Sequence, residues 1–205
     1  SLFYVARCRK MEYDSELSLL SSKFTQDYPP ATYPELMHKH GRPYTCLLID
    51  SHDDYFICVP FRSSIGHKNA FMFTGTSRSK KTKSGLDYSK IAIIKNIDYF
   101  DSTTTALVDQ DEYAEMMRNL PTIVQEANNY VDTYINHVNG TAPMHPRAFS
   151  RKYQYSTLPY FHDIMGIKKP AIVAGFFIPP TEVRASRSAR RRIPSCNPHP
   201  RAAIC

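Results

Sequence analysis

The chain has 205 residues, a length suited to one domain with a substantial buried core. Its composition is 42% hydrophobic and 12% aromatic, which excludes an intrinsically disordered chain. The net charge is +7, and residues 62–95 concentrate eight Lys or Arg against one Asp. Such a patch suits a polyanionic partner, and the alternative is an ordinary solvated loop.

Short apolar runs in the first half predict strands. Residues 2–6 form one strand, and the polar, proline-containing region that follows predicts a helix around 15–22. The runs 44–49 and 55–60 flank the turn sequence Asp-Ser-His-Asp-Asp, which predicts a β-hairpin.

Two further strands are predicted at 70–73 and 90–94, separated by a Ser-, Thr- and Lys-rich loop over 75–85. Short, non-alternating strands with long loops favour a small antiparallel barrel over a βαβ sheet.

The second half predicts helices at 109–120, 122–139 and 156–165. In the middle one, a 3.6-residue period places apolar side chains on one side, and Asn-Gly ends the helix. The apolar positions are Ile123, Ala127, Tyr130, Val131, Tyr134, Ile135 and Val138. A DNA-binding role for this helix is an alternative, but it carries few cations and its pattern favours core packing. The predicted fold class is therefore α+β, a small antiparallel β-barrel with helical additions in the C-terminal half.

We predict one domain over 1–168 and a disordered or non-native basic tail over 169–205. The tail lacks periodicity, and residues 181–205 hold six arginines and one glutamate. The five cysteines form no CxxC pair, no secretory leader is visible, and the longest apolar stretch is far too short to span a bilayer. These features predict a cytoplasmic protein with reduced thiols and no membrane partner.

Common enzyme signatures for nucleotide, metal or serine chemistry are absent. A concentrated polar run instead follows a predicted strand, and it contains Arg62, Ser63, Ser64, His67 and Lys68. Metal-free RNA cleavage needs such a set, because the ribose 2′-hydroxyl is the nucleophile and the protein only moves protons and stabilises phosphoryl charge. His67 can transfer protons near neutral pH, Arg62 can hold phosphate oxygens, and the serines can donate hydrogen bonds. The alternative is a loop that contains an incidental histidine.

Two other clusters flank this run. The first, at 38–44, includes Arg42 and Tyr44; its two histidines have metal-like spacing but no evident third ligand. The second combines clustered cations with an aromatic, a composition that suits single-stranded RNA. Its members are Arg78, Lys80, Lys81, Lys83, Tyr88 and Lys90.

Taken together, these segments resemble the toxins of type III toxin–antitoxin systems, the ToxN/AbiQ/TenpN family, and most closely the TenpN branch. The matching pieces are residues 2–5, 41–49, 59–71 and 83–90, and the last includes Gly-Leu-Asp-Tyr-Ser-Lys. The resemblance covers roughly residues 2–167.

The resemblance implies a MazF/Kid-like (SH3-like) barrel and a metal-independent endoribonuclease without a cofactor. Such toxins leave 2′,3′-cyclic phosphate and 5′-hydroxyl ends on cellular or phage RNA. They are inhibited by a small structured antitoxin RNA, typically a pseudoknot repeat, which they process and with which they assemble into a toxin–RNA oligomer. Related systems defend against phage by abortive infection.

Carried onto this chain, the resemblance places Arg62 and Ser63 in the active groove and Arg42 near a catalytic lysine of the ToxN branch. Arginine stays protonated, so the implied role of Arg42 is phosphate stabilisation, and proton transfer falls to His67. The expected catalytic residues are His67, Ser63, Arg62, Arg42 and Ser64. The expected RNA-binding residues are Tyr44, Lys68, Arg78, Lys80, Lys81, Lys83, Tyr88 and Lys90. A non-catalytic RNA-binding module that uses the same basic groove is the alternative.

Overall fold

The computed structural model describes residues 3–5, 15–37, 44–50 and 54–167. Its strands are β1 Phe3–Val5, β2 Ser15–Leu20, β3 Tyr44–Asp50, β4 Phe56–Arg62, β5 Ala70–Met72, β6 Gly85–Asp87, β7 Ala92–Ile94 and β8 Leu107–Asp109. Its α-helices are α1 Ser22–Asp27, α2 Ser79–Thr82, α3 Gln110–Arg118, α4 Leu120–Val138 and α5 Pro146–Tyr153. Short 3-10 helices lie at Tyr88–Lys90, Ile97–Tyr99 and Leu158–Phe161. The predicted α+β class is confirmed.

The main sheet is antiparallel, and its central strand is β4. The strand order is β2-β3-β4-β6-β5, and β7 also pairs with β4. The predicted hairpin is confirmed, because β3 and β4 pair in a register that sets Leu47 opposite Val59. On its other side, β4 pairs through its first half with β7 and through its last two residues with β6. The C-terminal end of β4 therefore lies directly against β6.

The predicted closed barrel is wrong. Within the part of the chain that the structure describes, the outer strands β2 and β5 do not pair with each other, and β1 forms a separate ribbon with β8. Among the described residues, pairing extends beyond β2 through a single bridge, from Leu20 to Phe100. A barrel needs a continuous ladder on both edges of every strand, and the strands after β4 in this sheet have only three residues each.

The predicted helix around 15–22 is also wrong. Residues 15–20 form β2, which pairs along its whole length with β3, and α1 begins only at Ser22. Pairing with a neighbouring strand overrides a weak local preference, because a half-buried strand gains both ladder hydrogen bonds and side-chain packing.

Helix α4 carries the predicted apolar stripe, and the stripe is buried. Ile123, Ala127 and Val131 have no exposed surface, and they belong to one core cluster with β3, β4 and β7. Burying an aliphatic side chain of this size contributes about 1.5–3 kcal/mol. The apolar stripe of α4 therefore serves core packing, as its pattern predicts. Helix α5, which the sequence did not predict, begins at Pro146 after a cap in which His145 accepts a hydrogen bond from the Arg147 amide.

At Gly85 the backbones of β5 and β6 approach so closely that the position has no room for a side chain. A Cβ atom at this position would lie 2.2 Å from the carbonyl oxygen of Phe71. We expect Gly85→Ala to lower the free energy of unfolding by about 1–3 kcal/mol, because the obstructing atom is paired backbone. Gly66→Ala is the matched control: its Cβ would meet nothing within 4 Å, so the change should stay within about 0.5 kcal/mol. Urea unfolding curves measure both, and equal losses would contradict the close approach.

Candidate active site

The candidate site forms where β4 ends beside β6. Arg62 is the last residue of β4 and pairs with Gly85, the first residue of β6, and its guanidinium reaches Asp87 further along that strand. Asp87 is the last residue of β6 and pairs with Ala70 on the opposite strand. The sheet register thus brings together two charged residues that are 25 positions apart in sequence.

A fully buried carboxylate lies at the centre of the site. Asp87 has no exposed surface, and its Oδ2 accepts a hydrogen bond of 2.6 Å from Nη1 of Arg62. Its Oδ1 accepts two more, from the backbone N–H of Ser89 at 2.9 Å and from the Ser89 hydroxyl at 2.7 Å. A buried charge needs such partners, and here a cation and two donors supply them.

His67 lies on the solvent side of this carboxylate. Its Nε2 is 3.4 Å from Oδ2 of Asp87 and 3.4 Å from the Ser89 hydroxyl oxygen. The imidazole keeps 35% of its side-chain surface exposed, and the Arg62 side chain keeps 33%. Both groups therefore reach solvent while resting on one buried acid, an arrangement that leaves them able to contact a substrate.

The loop that carries His67 is fixed at its far end by Asn69. The side-chain amide of Asn69 donates to the backbone carbonyl oxygen of Lys152 at 2.8 Å. The backbone carbonyl oxygen of Asn69 accepts from the amide of Tyr88 at 3.0 Å. These two bonds tie the loop to α5 and to the segment after β6. His67 is thus positioned by the fold rather than by local sequence alone.

Ser63 and Ser64 turn the chain between Arg62 and His67. Ser64 has φ 59°, in the left-handed region, and its amide donates to the carbonyl of Thr82. The next amide, of Ile65, donates to the carbonyl of Lys83 at 3.2 Å. The two parts of the predicted site, 62–68 and 78–83, are therefore hydrogen-bonded neighbours.

Exposed lysines border the site on this side. Lys80 and Lys81 lie on α2, Lys83 follows it with φ 50°, and Lys68 adjoins His67; all four are exposed. We define Lys80, Lys81 and Lys83 as the lysine loop. Its charges and that of Lys68 form an exposed positive surface beside Arg62 and His67.

Acidic side chains of α3 hold the base of the lysine loop. Glu115 accepts hydrogen bonds from the amides of Thr74 and Gly75 at 2.8 and 2.9 Å. Burial acts to raise the pKa of Glu115, but these donors outweigh it and hold the pKa below its ordinary value. Glu112 accepts from the Ser84 hydroxyl at 2.6 Å, and burial raises its pKa. The loop is therefore pinned at both ends to one helix.

Three predicted RNA contacts have other partners in the structure. Lys90 is buried, and its ammonium group contacts Glu35 at 2.6 Å and the carbonyl of Tyr155. Tyr88 is buried and donates its hydroxyl proton to Glu126. Arg78 is partly exposed but pairs with Asp109 at 2.6 Å. Lys90 and Tyr88 thus lie in the interior, and neither is part of the exposed basic surface.

The side chains of two other predicted site residues lie outside the described part of the structure. Arg42 lies outside the described residues, as do the two histidines at 38 and 40. Tyr44 begins β3, and only its backbone is described. The proposed tail, 169–205, also lies outside the described residues.

Sequence reasoning missed Asp87 and Ser89. Both belong to Gly-Leu-Asp-Tyr-Ser-Lys, a segment quoted for its resemblance but not assigned a chemical role. An acid followed two residues later by a serine is a signal for a local hydrogen bond, but nothing local shows that it faces His67.

The described residues contain no group of three or more His, Cys, Asp or Glu side chains arranged to hold a metal ion. None of their helices has the length and apolar character needed to cross a membrane. Comparisons with known protein families, curated proteins and solved structures found no match to this chain. The family resemblance therefore rests on the short segments quoted above.

The anchor at Glu115 gives a stability prediction. In Glu115→Gln an amide N–H₂ group replaces one carboxylate oxygen and faces a backbone donor, so we expect a loss of about 1–3 kcal/mol. Hydrogen exchange at the amides of Thr74 and Gly75 should become faster. Glu16→Gln, an exposed position on β2, is the control and should leave both amides unchanged.

The same anchor should depend on pH. Because the folded pKa of Glu115 is lowered, its contribution is complete above the ordinary value of 4.5 and is lost as the pH falls through the folded value. Protection of the two amides should therefore fall in the wild type as the pH drops from the ordinary value of 4.5 through the lowered folded value. Unchanged exchange in Glu115→Gln would show that the carboxylate does not hold the loop.

Proposed function

We propose that this chain is a metal-independent endoribonuclease. The observation that carries the proposal is the grouping of Arg62 and His67 on one buried carboxylate, that of Asp87, beside the exposed lysine loop. A polyanion-binding surface alone needs only the cations. A partly exposed imidazole oriented by an acid is, in addition, what proton transfer needs.

The proposed reaction uses the RNA as its own nucleophile. The 2′-oxygen forms a bond to the adjacent phosphorus, and the bond from phosphorus to the 5′-oxygen of the next nucleotide breaks. One proton leaves the 2′-hydroxyl and one is delivered to the departing 5′-oxygen. His67 performs one of these two transfers, and the products are a 2′,3′-cyclic phosphate and a 5′-hydroxyl.

Arg62 and Ser63 have the second task, which is to stabilise negative charge on the non-bridging phosphoryl oxygens. Among the residues that the structure describes, Asp87 is the hydrogen-bond partner of the Arg62 guanidinium, through Nη1, and the other N–H groups can donate to a phosphate. Ser63, the next residue, can donate its hydroxyl proton to the same group. Donors that are already oriented stabilise the charged transition state without having to reorganise as the reaction proceeds.

Single-stranded RNA is the proposed substrate class. The lysine loop and Lys68 would contact successive phosphates, and the reaction requires a 2′-hydroxyl. DNA of the same sequence should therefore bind this surface but remain uncut.

We further propose that the enzyme is the toxin of a type III toxin–antitoxin system and that a small structured antitoxin RNA inhibits it. Support for this step comes from the resemblance of segments 59–71 and 83–90 to the ToxN/AbiQ/TenpN family. Tandem short repeats followed by a terminator, immediately upstream of the gene, would support this assignment. Their absence would argue for a nuclease outside such a system.

Cleavage of a long RNA by the purified protein in excess EDTA tests the reaction. We expect wild-type cleavage with cyclic phosphate ends, and a loss of about 10²–10⁴-fold in rate for His67→Ala, with RNA affinity retained. His145→Asn, which removes an exposed imidazole but keeps a side chain that can cap α5, is the control and should cleave normally. An active His67→Ala protein, or wild-type cleavage that EDTA abolishes, would refute the mechanism. RNA binding by the wild type without cleavage would instead favour a binding module.

The lysine loop should supply affinity rather than rate. For Lys80→Ala/Lys81→Ala we expect weaker RNA binding. The slope of log Kd against the logarithm of the salt concentration should fall by about 1.4, the value for two phosphate contacts on a single strand. Lys23→Ala/Lys95→Ala removes the same charge from lysines paired with Asp27 and Asp54 and is the matched control. Equal weakening in both double variants would mean that binding follows net charge and not this loop.

A further inference from the structure

We propose that Asp87 is the positioning residue of this site, and that by holding Nε2 of His67 it makes Nδ1 the atom that transfers protons. The inference rests on the proposed function for its reaction, but the orientation of His67 can be measured without it. Asp87 itself is fully buried, so it does not touch the substrate.

The orientation of the imidazole follows from its contacts. Nε2 is the ring nitrogen that lies 3.4 Å from the Asp87 carboxylate. A carboxylate accepts and cannot donate, so it favours the neutral tautomer with the proton on Nε2. Nδ1 then carries the lone pair, and it is the nitrogen left for a substrate.

The carboxylate is itself locked in place. Ser89 occupies Oδ1 with two donors, and Arg62 occupies Oδ2, the same oxygen that faces His67. Rotation of the carboxylate would break three hydrogen bonds at once. One acid thereby sets the direction of both exposed groups, the guanidinium for the phosphate and the imidazole for the proton.

The charges against His67 come from two strands. Asp87 on β6 is negative and Arg62 on β4 is positive, and Ser89 contributes a neutral hydroxyl. Loss of the Asp87 charge leaves His67 beside Arg62 alone, which disfavours the imidazolium. The limb of the rate–pH profile that belongs to His67 should then move to lower pH, whether His67 acts as acid or base.

A purely structural ion pair would behave differently. It would change stability, and it would leave the rate–pH profile and the tautomer of His67 unchanged. These two measurements therefore separate positioning from simple stabilisation.

The test is Asp87→Asn, which has the same shape without the charge. We expect a fall in kcat of about 10²–10⁴-fold, the lower-pH limb shift and retained RNA affinity. Ser89→Ala keeps the charge and is the matched control: its limb should stay in place, and its rate should fall less than that of Asp87→Asn. A folded Asp87→Asn protein with wild-type rate and profile overturns the inference and leaves the proposed nuclease intact.

Imidazole ¹⁵N spectra of the wild-type protein give a test that does not depend on the variant folding. We expect neutral His67 to carry its proton on Nε2, and a proton on Nδ1 overturns the inference. Wild-type protein that fails to cleave RNA overturns the proposed function, whereas the tautomer reports separately on the orientation.

Discussion

The charge of Asp87, buried without any exposed surface, is the constraint on which the site depends. An unpaired buried carboxylate costs several kcal/mol, so the fold must bring partners to it. Arg62 arrives through the register of β4 against β6, and Ser89 arrives through the 3-10 turn that follows β6. The absence of a side chain at Gly85 lets β5 pair closely with the other edge of β6. The groups that face solvent are therefore directed by a requirement of the interior.

The helices extend the same arrangement outward. Helix α4 fills the core with its apolar stripe, and α3, which precedes it, presents acids to the segment 74–84. A lysine-rich loop left to itself would be repelled by its own charge and would lose entropy on binding. Anchoring both of its ends in advance reduces the ordering that RNA binding would otherwise require. The acidic residues of α3 thus support the basic surface, because they hold the segment that carries its lysines.

Sequence reasoning succeeded where the signal is local and failed where pairing creates it. The β3–β4 hairpin and α4 have clear turn and periodic patterns, and both were predicted correctly. Strand β2 was missed because only its partner β3 makes it a strand, and the barrel was wrong because strand closure is not encoded in short apolar runs. In the site, Arg62 and His67 lie five residues apart and were predicted together. Asp87 was missed because only the strand register brings it close to them. Lys90 was wrongly predicted to contact RNA because the sequence does not show that it is buried and paired with an acid.

Two kinds of cation follow from this arrangement, with separate tasks. Arg62 forms a close pair with a buried acid, so the pair adds almost no net charge at the distance of an approaching strand. Under the proposed function, attraction over longer distances comes from exposed charges, such as those of Lys68 and the lysine loop. A paired guanidinium has instead a fixed direction, and its free N–H groups act at contact distance, where geometry matters more than charge. Under the proposed function, affinity and chemistry are thereby divided between neighbouring residues, so each can change without the other.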